Sequence, residues 1–342
     1  MVQGCITVSV LCLVVIAHPQ VEVDPASAKA PKQAIKVDPR LPRYVPNKEG
    51  PVIGGVKTVN SDAMNNMLAF WAEGMLAHFP ELQFEIEGKG GSTPPPALIA
   101  GNVSIGGMTR LFREDEATAF RNKWGYDATP LRVCIDLLAV YVHKDNPIVR
   151  KGLTHRELDA IFSKTRKTGA PADIKTWGDL GLDGDWKDKP IVLHGRNSAS
   201  GSYGYFKFHG LAKGDFKDEV NEQPGSSAVV EAVGKDRYAI GYAGIAYRTD
   251  AVAPVPLARD EKSDAVPPVA EKVDDYLLGR HFYLYVNFKP GSNLEPVRRE
   301  YLRYVFSVDG QNDVVKDGYL PIDAATAKNE AAKVGIEIEV KK

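Results

Sequence analysis

Three times in this chain a strand-like run ends in a short Ser/Thr/Gly segment that opens into a helix-like one. These are "VKTVNSDAM" at 56–64, "IEGKGGSTPPPAL" at 86–98 and "VLHGRNSASGSYGYF" at 192–206. No other feature constrains the fold as strongly. The change from alternating residues to helical spacing, with Ser, Thr or Gly at the join, marks strand–loop–helix units. A series of such units makes an α/β architecture with its loops gathered at the carboxyl ends of the strands. A fourth loop, "SIGGMTR" at 104–110, ends a strand with a hydroxyl and an arginine. If the loops converge, helix starts together with Arg110 and Arg196 surround one small anion, because unpaired N–H groups and the helix dipole favour negative charge there.

The rest of the chain alternates in the same way. Met64, Met67, Leu68, Trp71, Met75 and Phe79 recur at helical spacing behind Ser61 and Asp62, which are candidate caps. "LRVCIDLLAVYVHKDNP" is a long apolar strand stopped by a turn, and "LTHRELDAIFS" opens with Thr154 and Glu157 at capping-box spacing. "PIVLHG", "DRYAIGYAGIAYR" and "HFYLYVNF" are further strands, and "PVRREYLRYVFS" is a helix. Tyr203, Tyr205 and Phe206 are expected in the core at the start of their helix.

Residues 5–17, "CITVSVLCLVVIA", form an uncharged apolar run of signal-peptide length, although no Lys or Arg precedes it. Residues 1–17 are therefore expected to be a signal peptide and the protein to work outside the cytoplasm. Residues 18–50, rich in Pro, Lys, Ala and Val without periodicity, read as a linker. Two of the three cysteines fall in the apolar run. Cys134 is left inside an apolar strand, where a core role outweighs a nucleophilic one. The formal net charge of −1 gives no basic surface for nucleic acid or anionic membrane.

Enzyme motifs are missing. A phosphate-binding P-loop needs a lysine and a hydroxyl after its glycines; "GKGGST" has its lysine too early and "GRNSASGS" has none. A hydrolase elbow needs glycines two residues on either side of the serine. Ser198 has Arg196 at that distance, and Ser200 has Ser198 and Ser202. The seven histidines are scattered, with no zinc spacing. No metal, cofactor or catalytic set is expected.

Taken in order, "LTHRELDAIFS…IKTWGDLG", "GRNSASGSYGYFK", "PGSSAVVEAVGKDRYAIGYAGIAY", "RHFYLYVNFKPG" and "EYLRYVFSVDGQNDVVKDGYLPI" make the chain resemble the phosphate-binding proteins of Pst-type ABC importers over residues 52–322. The resemblance implies a type II periplasmic binding protein fold: two α/β lobes, each a sheet flanked by helices, joined by two crossover strands. On that basis lobe I takes residues 51–138 and 250–342, and lobe II takes residues 139–249. The chain is then a monomer that closes on inorganic phosphate and hands it to a membrane permease.

The family's R-x-x-x-S-G-[ST] motif falls on Arg196, Ser200, Gly201 and Ser202, with Arg196 as the charged contact. "GGST" implies Ser92 and Thr93, and the first loop implies the N–H of Met64. Two departures matter. Ala63 stands where the family commonly has a threonine. Thr109, followed by Arg110, stands where some members carry an aspartate that accepts the phosphate proton. Asp62 is a candidate substitute acceptor, though a helix cap is the more ordinary role. A binder or sensor of another tetrahedral oxyanion (sulfate, molybdate, tungstate) is the alternative reading, and a phosphatase-like enzyme on the same fold is a distant one.

Overall fold

A computed structural model describes residues 35–47, 51–88, 90–198 and 200–341. The signal-peptide run and the first part of the linker lie outside them.

The strands are β1 (Gly55–Asn60), β2 (Gln83–Gly88), β3 (Ile105–Met108), β4 (Thr129–His143), β5 (Leu153–Thr154), β6 (Val192–Arg196), β7 (Asn221–Gln223), β8 (Ala239–Gly244), β9 (Val252–Pro254), β10 (Leu257–Ala258), β11 (Gly279–Val286) and β12 (Leu320–Pro321). Ten of them form one sheet in the order β2-β1-β3-β11-β4-β8-β6-β7, with β9 and β12 also on β4. β1 runs parallel to both β2 and β3, and β6 runs parallel to both β7 and β8. Between these parallel groups, β11 and β4 run antiparallel to each other and to their outer neighbours.

The 15-residue strand β4 ties the groups together. Thr129–Leu137 pairs with β11 and Leu138–Val142 with β8. Its sequence is apolar almost throughout because both faces are covered, as in parallel-type sheets. Alternate residues go to different clusters: Val140 and Val142 join one, Ala139 and Tyr141 another. Helices therefore pack on both faces.

Core packing changes partner twice along the chain. Leu131, Val133 and Cys134 belong to one large cluster, whereas Ile135, Leu137 and Leu138 belong to a second. On β11, Phe282, Leu284 and Val286 return to the first cluster, while Leu278 just before it is still in the second. Residues 252–278, placed with lobe I on sequence, contribute Val255, Leu257, Val273 and Tyr276 to the second cluster. β9 explains the difference, since it turns back onto Tyr141–His143 of β4. We therefore propose a lobe division that returns near residue 279, not 250.

The described part of the expected linker is also packed. Leu41 and Tyr44 are buried in the first cluster. The Tyr44 hydroxyl donates to Glu300 at 2.8 Å, and its N–H donates to Asp309 at 2.7 Å. Proline and the missing periodicity exclude a helix here, but they do not prevent an extended segment from docking two large side chains.

Local signals come out as follows. The Thr154–Glu157 capping box forms, with Glu157 N–H on Thr154 Oγ1 at 3.2 Å and Thr154 N–H on the Glu157 carboxylate at 2.8 Å. Met67, Leu68, Trp71 and Met75 are buried along the helix Asn65–His78. That helix starts later than Ser61 and Asp62 suggested. A single 3₁₀ turn, Asp62–Met64, precedes it, and Ser61 makes no side-chain cap bond.

Candidate functional site

The carboxyl ends of β1, β2 and β3 lie side by side, because these strands are parallel and adjacent. Asn60, fully buried at the end of β1, fastens the first of these loops to the last. Its Oδ1 accepts the Gly107 N–H at 2.8 Å and its Nδ2 donates to Thr58 Oγ1 at 2.8 Å. The Ser61 N–H donates to the Gly107 carbonyl at 2.9 Å. A Cβ at Gly107 would come within 2.7 Å of Asn60 Oδ1, so glycine is what lets the two strand ends approach.

Asp62 is exposed, and its Oδ1 accepts the Gly90 N–H at 3.1 Å. The carboxylate therefore bridges to the second loop and does not cap its own helix, which corrects the capping expectation. In that second loop Thr93 Oγ1 donates to the Gly90 carbonyl at 2.9 Å, and Ser92 is exposed just before the helix Pro94–Ala100. Met64 is buried and Thr109 half-buried, at the ends of the first and fourth loops.

Arg110 is engaged by other groups of the first half. Its guanidinium makes a two-pronged pair with Glu116 at 2.7 and 2.8 Å. It also donates to the Gly91 carbonyl at 3.3 Å, over the second loop. Glu116, in the acidic first turn of the helix Glu114–Trp124, offsets most of the arginine charge. No sequence signal marked Glu116, because an acidic first turn is ordinary helix chemistry.

The other half of the site comes from β6 and β7. Arg196 is the last residue of β6, and its backbone N–H donates to the Tyr242 hydroxyl at 3.3 Å. Its guanidinium is half-buried and donates to Ser226 Oγ at 3.0 Å and to the Pro224 carbonyl at 3.4 Å. It therefore sits across the ends of β6 and β7, beside the start of the helix Ser226–Lys235. Ser200 caps the helix Gly201–His209, its Oγ accepting the Ser202 N–H at 3.2 Å. His194, upstream on β6, is pushed below the ordinary histidine range by burial and lies 3.3 Å from Gln223. It adds no charge at neutral pH.

The loops of the two halves also approach each other. A Cβ placed on Gly201 would lie 3.8 Å from the Cβ of Ala63. The start of the second-half helix thus faces the first loop, where the sequence lacks the family's threonine. Ser61–Met64, Gly90–Thr93, Thr109–Arg110 and Ser200–Ser202 are linked by these contacts.

A cavity of about 530 Å³ opens beside Arg196, between Tyr203, Phe216 and Tyr242. Of its three lysines, Lys164 pairs with Asp218 at 2.8 Å and Lys207 with Asp215 at 3.0 Å, while Lys217 donates to the Ala160 and Ile174 carbonyls at 2.8 and 3.1 Å. Among the described residues no group of acidic, histidine or cysteine side chains could hold a metal ion. No helix there is long and apolar enough to cross a membrane.

Residues 45–309 match the family model described as a PBP superfamily domain. The chain is 44% identical over 313 residues to the phosphate-binding protein PstS of Pseudomonas aeruginosa, covering 91% of this chain and 96% of that protein. It is 26% identical over 275 residues to the phosphate-binding protein PstS of Bacillus subtilis, covering 79% and 81%. The fold is similar to the crystal structure of a possible phosphate-binding protein from Planctomyces limnophilus, with TM-score 0.69 and 23% identity over 83% of this chain and 98% of that one. It is also similar to an ABC-type phosphate transport receptor from Vibrio cholerae, with TM-score 0.57 and 20% identity over 78% and 100%.

Proposed function

This chain belongs to the PBP superfamily, alongside the PstS phosphate-binding proteins, and on that premise we propose that it captures inorganic phosphate between its two halves and delivers it to a membrane ABC permease. The observation that carries the reading is the approach of Gly201 to Ala63, which sets a helix start of one half against the first loop of the other. In this reading the protein acts outside the cytoplasm as a monomer, and no bond is made or broken.

An isolated buried anion costs tens of kcal/mol to desolvate. Arg196 offsets that cost with a full charge and a planar pair of donors. The Gly201 N–H and the hydroxyls of Ser200, Ser202, Ser92 and Thr109 replace the hydration shell, joined by the N–H groups of Ser202 and Met64 and the Thr93 hydroxyl as they exchange their present acceptors, Ser200 Oγ and the Ser61 and Gly90 carbonyls, for the ion. Arg110, already paired with Glu116, contributes direction more than net charge. Micromolar affinity needs about −8 kcal/mol, within reach of several charge-assisted bonds in a dry cleft.

Asp62 takes the role of acceptor-only group that Thr109, whose hydroxyl donates as readily as it accepts, does not fill. Its carboxylate is on the first loop and engaged through one oxygen by Gly90, which leaves the other for a protonated phosphate oxygen. Sulfate carries no proton at neutral pH and meets only repulsion there. Calorimetry at pH 7.5 is expected to give a phosphate Kd of about 1 μM or tighter. Sulfate is expected to bind at least about 100-fold more weakly, which is roughly 2.7 kcal/mol. No heat with millimolar phosphate rejects the proposal. Equal affinity for the two ions, or tighter binding of sulfate, molybdate or tungstate, moves the assignment to another oxyanion.

A further inference from the structure

We infer that Arg280 is a positioning residue that couples the two halves of the anion site through the strands connecting them, an inference that rests on the phosphate reading. Arg280 on β11 is register partner to Asp136 on β4. Its Nε and Nη2 donate to Asp136 Oδ2 at 2.9 and 2.8 Å, and both side chains are largely buried. The pair lies in the short interval where the core changes cluster, between Cys134 and Leu137 on one strand and Leu278 and Phe282 on the other. A rotation of one half against the other has to be absorbed there.

From this pair, contacts run to both halves of the site. Toward the second half, the guanidinium lies 3.8 Å from the centroid of the Tyr205 ring. Tyr205 is on the helix Gly201–His209, one turn beyond the N–H groups assigned to phosphate, and its hydroxyl donates to the Gly279 carbonyl at 3.2 Å. Toward the first half, the guanidinium lies 4.8 Å from the Phe282 centroid, and Phe282 is 4.8 Å from Tyr319. The Tyr319 hydroxyl donates to the Ala63 carbonyl at 2.9 Å, inside the first loop. Ala63 and Gly201 therefore face each other directly, and they are also joined through the interior by Tyr319, Phe282, Arg280 and Tyr205.

Stability alone does not call for this arrangement. A buried ion pair is often no more stabilising than a well-packed apolar pair of the same volume. What the guanidinium adds is orientation. Its plane can bond Asp136 and stack on Tyr205 together in only a narrow range of geometries. Turning the helix Gly201–His209 away from β11 breaks the stack. Holding the stack keeps the helix start aimed at the first loop, and the bound ion is retained longer.

The test is stopped-flow and equilibrium phosphate binding on the full chain. Arg280→Met keeps the apolar stem, and Arg280→Lys keeps the charge without the planar fork. For Arg280→Met the dissociation rate is expected to rise about tenfold with the association rate within about twofold, and Arg280→Lys to fall between it and wild type. Combined with Tyr205→Leu, the effects on phosphate binding are expected to be clearly less than additive, a readout that general destabilisation does not produce. Wild-type dissociation in Arg280→Met, or additive effects in the cycle, overturns the inference. If Arg280→Met does not fold, wild-type dissociation in Arg280→Lys overturns it. A wild-type protein that binds no phosphate is a different failure: it removes the phosphate reading itself, and this inference with it.

Discussion

Arg196→Ala is expected to weaken phosphate binding by about 100- to 4,000-fold while the protein stays folded. Removing one partner of a desolvated charge pair costs about 3–5 kcal/mol, because the remaining charge is left without compensation. Each 1.4 kcal/mol is about a factor of ten in Kd. The fold loses much less. In the structure the Arg196 guanidinium donates to Ser226 Oγ and the Pro224 carbonyl, both neutral acceptors, and it is half-buried. Loss of such bonds costs about 1 kcal/mol. Arg196→Lys keeps the charge and loses the two-donor fork, so it belongs between the two, with about a tenfold loss. Calorimetry beside a thermal melt separates the effects. Wild-type affinity in Arg196→Ala contradicts the site, and a collapse of the melt would mean that the residue is chiefly structural.

The second large effect concerns pH. The Asp317 carboxyl is pushed up to about 7, chiefly by burial, against hydrogen bonds from Asn66 and the Met67 N–H and with the nearby Asp136 charge adding to the rise. In the unfolded chain the same group releases its proton near 3.8. Between those values the folded protein holds a proton that the unfolded chain has lost. The stability contribution is therefore complete below about pH 4 and falls as pH rises through about 7. Three pH units at about 1.4 kcal/mol each give an upper limit of about 4 kcal/mol. Asp313, pushed up to about 6 by burial, acts in the same direction.

Histidines oppose this slope. His155, His194 and His281 are pushed down by burial, so their contribution is present above about 6.5 and lost as pH falls. The informative quantity is thus the difference between wild type and Asp317→Asn, measured by denaturant unfolding. The variant is expected to be about 2–4 kcal/mol more stable at pH 8 and within about 1 kcal/mol of wild type at pH 4. A variant that is less stable than wild type at pH 8 contradicts the assignment.

What the sequence conveyed and what it withheld divide along a physical line. β4 was legible because a run apolar on both faces has few other uses, and the Thr154–Glu157 box because its bonds span three residues. The strand–loop–helix joins at Ser92–Thr93 and Ser200–Ser202 were legible for the same reason. Partners distant in sequence were not. Tyr44 reaches Glu300 and Asp309, and Tyr319 reaches Ala63, across more than two hundred residues, without a local trace. Residues 252–278 fall in lobe I by the resemblance alone, and the pairing of β9 with β4 is what points them to the other core. Asp62 illustrates the limit of local rules, since its cap geometry looked right in sequence but its carboxylate goes to Gly90 of a neighbouring loop. Arg110 was identified as a candidate, yet Glu116, which sets how much of its charge an anion would feel, was not.

The most direct measurement is a crystal structure of the protein grown with phosphate. The prediction is one tetrahedral ion within hydrogen-bond reach of the Arg196 guanidinium and the Ser202 N–H, completed by donors from the Asp62–Met64 or Ser92–Thr93 segments of the other half. An ion bound elsewhere, or an Arg196 side chain directed to bulk solvent while phosphate is bound, contradicts it.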